Sequence, residues 1–139
     1  MTRLKVNPEF FRRHLFVTVL MAGLGAWFGY DGFVRYPSES DEYFTERHLE
    51  RHSATERQKQ FMALSFLASL AVGVHLWKVC RFAFAYDDDG FEYKGVKRRY
   101  DEVKNVDRSL WEKKGIIKVD GIALDAWHHL GVKEVAARL

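Results

Sequence analysis

Seventeen consecutive residues, His14 to Tyr30, carry no formally charged side chain. As a helix, such a run is about 25 Å long, against a hydrocarbon layer of about 30 Å, so its flanks must help if it crosses a bilayer. Phe10 and Phe11 precede it, Phe33, Val34 and Tyr36 follow, and Arg12 and Arg13 have stems long enough to carry their guanidinium groups to the headgroups. A second run, Gln60 to Trp77, is equally free of charge and continues past Lys78 and Arg81 through Val79, Cys80, Phe82, Ala83, Phe84 and Ala85. Neither run leaves the polar stripe that a helix of a small soluble bundle turns to water. The pattern predicts two transmembrane helices, about 14–34 and 58–80, forming an anchor over residues 1–80, with a separate domain over 81–139. A cleaved signal peptide is the alternative for the first run, because Arg3, Lys5, Arg12 and Arg13 resemble a basic leading region. Its small-x-small cleavage pattern is met only loosely, by Gly23-Leu24-Gly25.

Charge orients the hairpin. Residues 1–13 hold four basic residues against Glu9 alone. The connection from Asp31 to Lys59 holds five basic residues against seven acidic ones, and more basic residues follow the second run. Positive charge stays in the cytoplasm, so the expected location is the bacterial cytoplasmic (inner) membrane with both termini inside. Over the whole chain of 139 residues the net charge is only +3, too little for a nucleic-acid surface. Cys80 is the single cysteine, which excludes an internal disulfide or a thiolate-rich metal cluster made by one chain.

Small residues mark helix-packing positions. Gly25 and Gly29 form a GxxxG pair, with Ala22 and Ala26 beside it, and Ser65, Ser69 and Gly73 recur every four residues in the second run. In lipid, such strips allow close backbone approach. Packing of the two spans on each other is the first use expected; self-association and docking on another membrane protein are the others. His75 lies within the second run and His14 opens the first, a pair that in principle shares a cofactor such as haem or chlorin, although no CxxCH motif accompanies them and no cofactor is predicted.

In the connection, Ser53-Ala54-Thr55-Glu56 has the form of a capping box and predicts a helix start at Ser53 or Ala54. A short helix is expected after Pro37-Ser38. His48 and His52 are four apart, but His-Leu-Glu-Arg-His is not HExxH, and a solvated helix end is the expected reading over a metal site.

Beyond residue 81 the period changes. Arg81–Tyr86 reads as a strand or extended helix end, Asp87-Asp88-Asp89-Gly90 as a turn rather than a calcium loop, and Phe91–Lys94 as a half-buried strand. Asp120-Gly121 between Ile116–Val119 and Ile122–Leu124 is a strong hairpin signal, and Val132, Val135, Ala136 and Leu139 trace a short amphipathic helix. Asp120, Gly121 and Trp127 are therefore expected to be critical to the fold. The bases Lys97, Arg98, Arg99, Lys113 and Lys114 are the candidate surface for anionic lipid or a partner.

From Phe82 to Leu139, the order of strand, Asp-rich turn, Gly-Phe-Glu-Tyr strand, Lys-Lys-Gly before Ile-Ile-Lys-Val, Leu124-Asp125-x-Trp127 and terminal helix resembles a shortened version of the pleckstrin-homology-like domains found behind two spans in small bacterial membrane proteins. That resemblance implies a curved antiparallel sheet closed by a C-terminal helix, and it transfers no catalytic or phosphoinositide-binding residue. The fold class expected is a membrane α-helical hairpin plus a small α+β domain with an antiparallel sheet of about five strands. No nucleophile, base and electrophile are assembled by a recognisable motif, so the expected function is that of a non-enzymatic accessory or scaffold protein in a homo-oligomer or larger membrane complex, in contact with membrane lipids and not with nucleic acid. The alternatives are a cofactor- or ligand-binding membrane subunit and an anionic-lipid-sensing module.

Overall fold

The computed structural model describes all 139 residues. Two short strands, β1 (Thr2–Arg3) and β2 (Lys5–Val6), lead into a long helix α1 (Pro8–Tyr30). A π-helical turn (Asp31–Arg35) and α2 (Tyr36–Ser38) follow, then α3 (Asp41–Glu46) and a second long helix, α4 (Arg51–Cys80). The remainder holds β3 (Phe84–Tyr86), β4 (Gly90–Tyr93), β5 (Val96–Arg99), a 3₁₀ turn (Tyr100–Glu102), β6 (Val106–Asp107), α5 (Trp111–Lys114), β7 (Ile116–Val119), β8 (Ile122–Asp125), β9 (His129–Leu130) and α6 (Val132–Arg138). Both long helices are long and apolar enough to cross a membrane.

Local chemistry sets the helix boundaries. Asn7 caps α1, its Oδ1 accepting from the Glu9 N–H at 3.0 Å, with Pro8 in the first position, where its missing N–H costs nothing. The helix therefore begins well before His14. At its far end, Pro37 offers no N–H to the preceding turn and crowds the carbonyl four residues back; the widened turn Asp31–Arg35 lies immediately before it. Ser40 caps α3 through the Tyr43 N–H at 3.2 Å. The capping box expected at Ser53 does not form. The Ala54 N–H already bonds the Glu50 carbonyl, the Ser53 hydroxyl donates to Glu50 Oε2 at 2.9 Å, and Glu56 pairs with Lys59 at 2.9 Å. The helix thus starts two residues earlier, at Arg51.

The chain divides into two compact units, one formed by Met1–Arg12 with Trp77–Leu139 and the other by Arg13–Leu76. This replaces the expected split at residue 80. The first twelve residues belong with the tail because β1 pairs antiparallel with β3, Thr2 opposite Tyr86, and β2 pairs with β9, Val6 opposite His129. The tail unit contains a four-stranded sheet in the order β1-β3-β4-β5, the β2-β9 pair and a three-stranded β6-β7-β8 sheet. Seven short strands follow α4, more than the five expected, because two-residue segments such as β6 and β9 carry no readable alternation.

Its core consists of Leu4, Phe84, Tyr86, Phe91, Ile117, Val119, Leu124, Val132, Val135 and Ala136, so residues from the first strand segment to the last helix share one apolar interior. Asp120 and Gly121 both have positive φ, 46° and 84°, as a two-residue hairpin with Val119 opposite Ile122 requires. Lys94 and Gly95 form a second turn of this kind between β4 and β5. In the Asp-rich turn, the Asp87 carboxylate accepts from the Asp89 and Gly90 N–H groups, so it stabilises the turn itself. At Gly90 a Cβ would run into the Arg98 carbonyl across the β4–β5 ladder.

Phe10 is fully buried, its ring 6.3 Å from Trp127 and 4.6 Å from His128. Phe10→Ala is expected to destabilise the tail unit by about 3–5 kcal/mol, measured as a lower midpoint in near-UV circular dichroism of the full chain in micelles, whereas exposed Phe11→Ala changes it little. In the same assay, Gly121→Val costs about 1–3 kcal/mol by forcing a β-branched residue into a left-handed backbone, and solvent-facing Lys118→Gln is neutral to within about 0.5 kcal/mol.

Candidate functional site

Within residues 13–76, the two long helices meet along a seam of small residues. A Cβ on Gly25 would lie 2.9 Å from the Phe66 ring, and one on Gly29 would lie 3.0 Å from Met62 Sδ. A Cβ on Gly73 would lie 3.5 Å from the Thr18 methyl, and the buried Ser69 hydroxyl donates to the Thr18 carbonyl at 2.8 Å. Ala22 and Ser65 are half-buried, whereas Ala26 is exposed and lies off the seam. Away from the seam the helices present large apolar side chains, among them Phe16, Val19, Trp27, Leu64, Leu67 and Leu70, each at least 60% exposed. His14 and His75 stand together on the two helices with ring centroids 5.8 Å apart.

The connection between the helices is locked by one arginine. Arg51 donates to the Tyr36 and Pro37 carbonyls at 3.1 and 3.4 Å, pairs with Asp41 at 2.7 Å and lies over the Phe44 ring at 4.7 Å. Phe44 is buried, with Tyr36 and Tyr43 against it. Asp31, in the π-helical turn, is also buried, 3.5 Å from Arg35. Nearby, Gly32 packs against Gln58 and Lys59, while Thr55 Oγ1 and Gln58 Oε1 are buried without a hydrogen-bond partner. Neither Arg51 nor Asp31 was marked by any motif, since each acts through a tertiary contact. His48 and His52 do not share a helix face: His48 has φ 53° in the turn before α4, and His52 lies in the first turn of that helix.

In the tail unit, the candidate bases fall on two elements. Lys97, Arg98 and Arg99 are exposed on β5, with Arg98 3.1 Å from Asp120 and Arg99 3.0 Å from Asp101. Lys113 and Lys114 occupy the last turn of α5, where a positive charge complements the helix dipole. Asp120 has a second task beyond its turn: its carboxylate accepts from the Asn105 and Lys104 N–H groups at 2.9 and 3.1 Å. The Asn105 bond leads in holding its pKa below the ordinary aspartate value. Trp127 ties the chain's two ends, its carbonyl accepting from Asn7 Nδ2 at 3.0 Å.

His129 is buried beside this junction, and its Nε2 donates to the Val79 carbonyl in the last turn of α4 at 3.0 Å. It thereby satisfies one of the acceptors that a helix end leaves open. Burial pushes its pKa below the ordinary histidine value, opposed by the Val79 bond and by Asp125. The isolated sequence marked His75 and His14 but not this residue, whose burial depends on strand pairing with the N-terminus. Comparison with family models, characterised proteins and solved structures returns no match to this chain.

Because the folded state disfavours the proton on His129, the unfolded chain binds more protons as the pH falls. Its stabilising contribution is complete above the unfolded value of about 6.5 and is lost as the pH drops through the lower folded value. Thermal melts of the full chain between about pH 8 and 5 should show this loss, and His129→Gln should show a shallower pH dependence over the same window.

Proposed function

We propose that this chain is a two-span integral protein of the bacterial cytoplasmic membrane, with both termini in the cytoplasm, serving as a non-enzymatic accessory or scaffold for assembly with a membrane partner. The observation that carries the reading is the pairing of β1 and β2, which precede the first long helix, with β3 and β9, which follow the second. Strands of one sheet lie on one side of a bilayer, so the helices between them must cross an even number of times. Cleavage after Gly25 would remove β1, β2 and Phe10 from the tail unit, which weighs against the signal-peptide alternative.

Both helices leave their outer apolar faces uncovered, as lipid or neighbouring helices would require. The basic residues before the first run and the acidic excess in the connection support the cytoplasmic placement of the ends. The tail, with antiparallel sheets and a terminal helix, is of the kind a shortened pleckstrin-homology-like module would need, and its role in this reading is to meet the partner. Exposed Lys97, Lys113 and Lys114 favour anionic headgroups as a secondary contact.

Native mass analysis of the protein extracted in its lipid, combined with crosslinking, is expected to give a species heavier than the 16.3 kDa chain and a reproducible crosslinked neighbour. A strictly monomeric protein without one overturns the scaffold reading. Protease mapping in inverted vesicles tests the topology separately: both termini should be cleaved from the cytoplasmic face and the 31–50 connection protected.

A further inference from the structure

The two histidines of the helical hairpin stand side by side near its open end. His14 lies in the second turn of α1 and His75 in the second-last turn of α4, and their rings are 5.8 Å apart at an interplanar angle of 48°. About one turn deeper the helices close on each other, through the Ser69 hydroxyl on the Thr18 carbonyl at 2.8 Å and at Gly73, where a Cβ would lie 3.5 Å from the Thr18 methyl. The Thr18 hydroxyl also bonds back to the His14 carbonyl at 2.8 Å, tying the seam to the histidine turn. A planar macrocycle shared by both imidazoles would extend along the helices into that closure, so the seam does not suit a haem or chlorin. A single ion needs no such slot. A metal about 2.0–2.1 Å from one nitrogen of each imidazole places the two ring centroids about 5–6 Å apart in a bent arrangement, which is the separation found.

We propose that His14 and His75 form a two-imidazole site for a divalent first-row transition-metal ion of the kind that favours imidazole, with copper(II) bound most tightly and zinc or nickel less so. No group of three or more His, Cys, Asp or Glu in the chain is placed to hold a metal. The pair therefore leaves the other coordination positions to water or an incoming ligand, as in an exchangeable site rather than a closed structural one. The four-residue spacing of His48 and His52 does not create an equivalent, because the left-handed turn at His48 separates them. The inference rests on the seam geometry and stands apart from the scaffold reading.

The test is titration of the full-length protein in micelles with copper(II) chloride, followed by electron paramagnetic resonance. A saturating endpoint at one equivalent, with nitrogen couplings from two imidazoles, is expected. His14→Gln and His75→Gln each abolish the two-nitrogen signal, while the double variant His48→Gln/His52→Gln keeps it; far-UV circular dichroism verifies that the helices persist. A wild-type spectrum without two coupled imidazole nitrogens overturns the site even if the variants fail to fold, as does survival of the one-equivalent endpoint in His14→Gln/His75→Gln.

Discussion

Backbone pairing between the residues before the first long helix and those behind the second is the constraint on which the architecture depends. β1 and β2 contribute only two residues each, yet they supply partners for β3 and β9. Leu4 enters the tail core from the short segment between them. The Asn7 side chain caps α1 while its amide also reaches the Trp127 carbonyl, so one residue serves helix initiation and tertiary closure together. Remove this segment and the four-stranded sheet has an uncovered edge at β3, β9 loses its partner, and the apolar interior opens at Leu4.

The helical unit is organised by the opposite strategy, closeness without large side chains. Gly25 and Gly29 let Phe66 and Met62 approach the α1 backbone, and Ser69 reaches a carbonyl on the other helix. A hydrophobic driving force would not distinguish one apolar helix face from another in lipid, whereas dispersion and a well-placed hydroxyl do. At the connecting end, Arg51 and the Tyr36/Tyr43/Phe44 group replace backbone regularity with side-chain contacts. The π-helical turn before Pro37 shows how a chain accommodates a residue that breaks a helix without ending it at once.

Features with local causes were legible in the sequence. The two uncharged runs, the Asp120-Gly121 turn, the terminal helix and the Gly25/Gly29 surface follow from hydropathy, left-handed backbone preferences and side-chain size. Features with distant causes were not. Two-residue strands have no period, and the partners of Thr2 and Lys5, Tyr86 and Leu130, lie far along the chain. Ser53 and Glu56 have the letters of a capping box, but Glu50 and Lys59 offer each a better-placed partner. Lys94 gives no sign in the sequence of its positive φ, because lysine seldom adopts it. His129 carried no signal because its environment is created by Val79, Phe82 and the strand opposite. His14 and His75 were visible as residues, but only the antiparallel helix register makes them neighbours.

The long reach of the Asn7–Trp127 contact, 120 positions along the chain, also bears on the order of events during synthesis. At about 5–20 residues per second, the ribosome exposes the N-terminal segment on the order of ten seconds before its last partners exist. During that interval β1 and β2 are too short to hold structure or to template a foreign strand. The return of the chain through α4 then brings its distant parts back within reach, shortening the effective loop that the final pairing must close. A ribosome that stops before His129 leaves β2 single, however well the two helices have formed. Completion of the tail is thus a physical record that translation has passed Leu130, the last residue of β9.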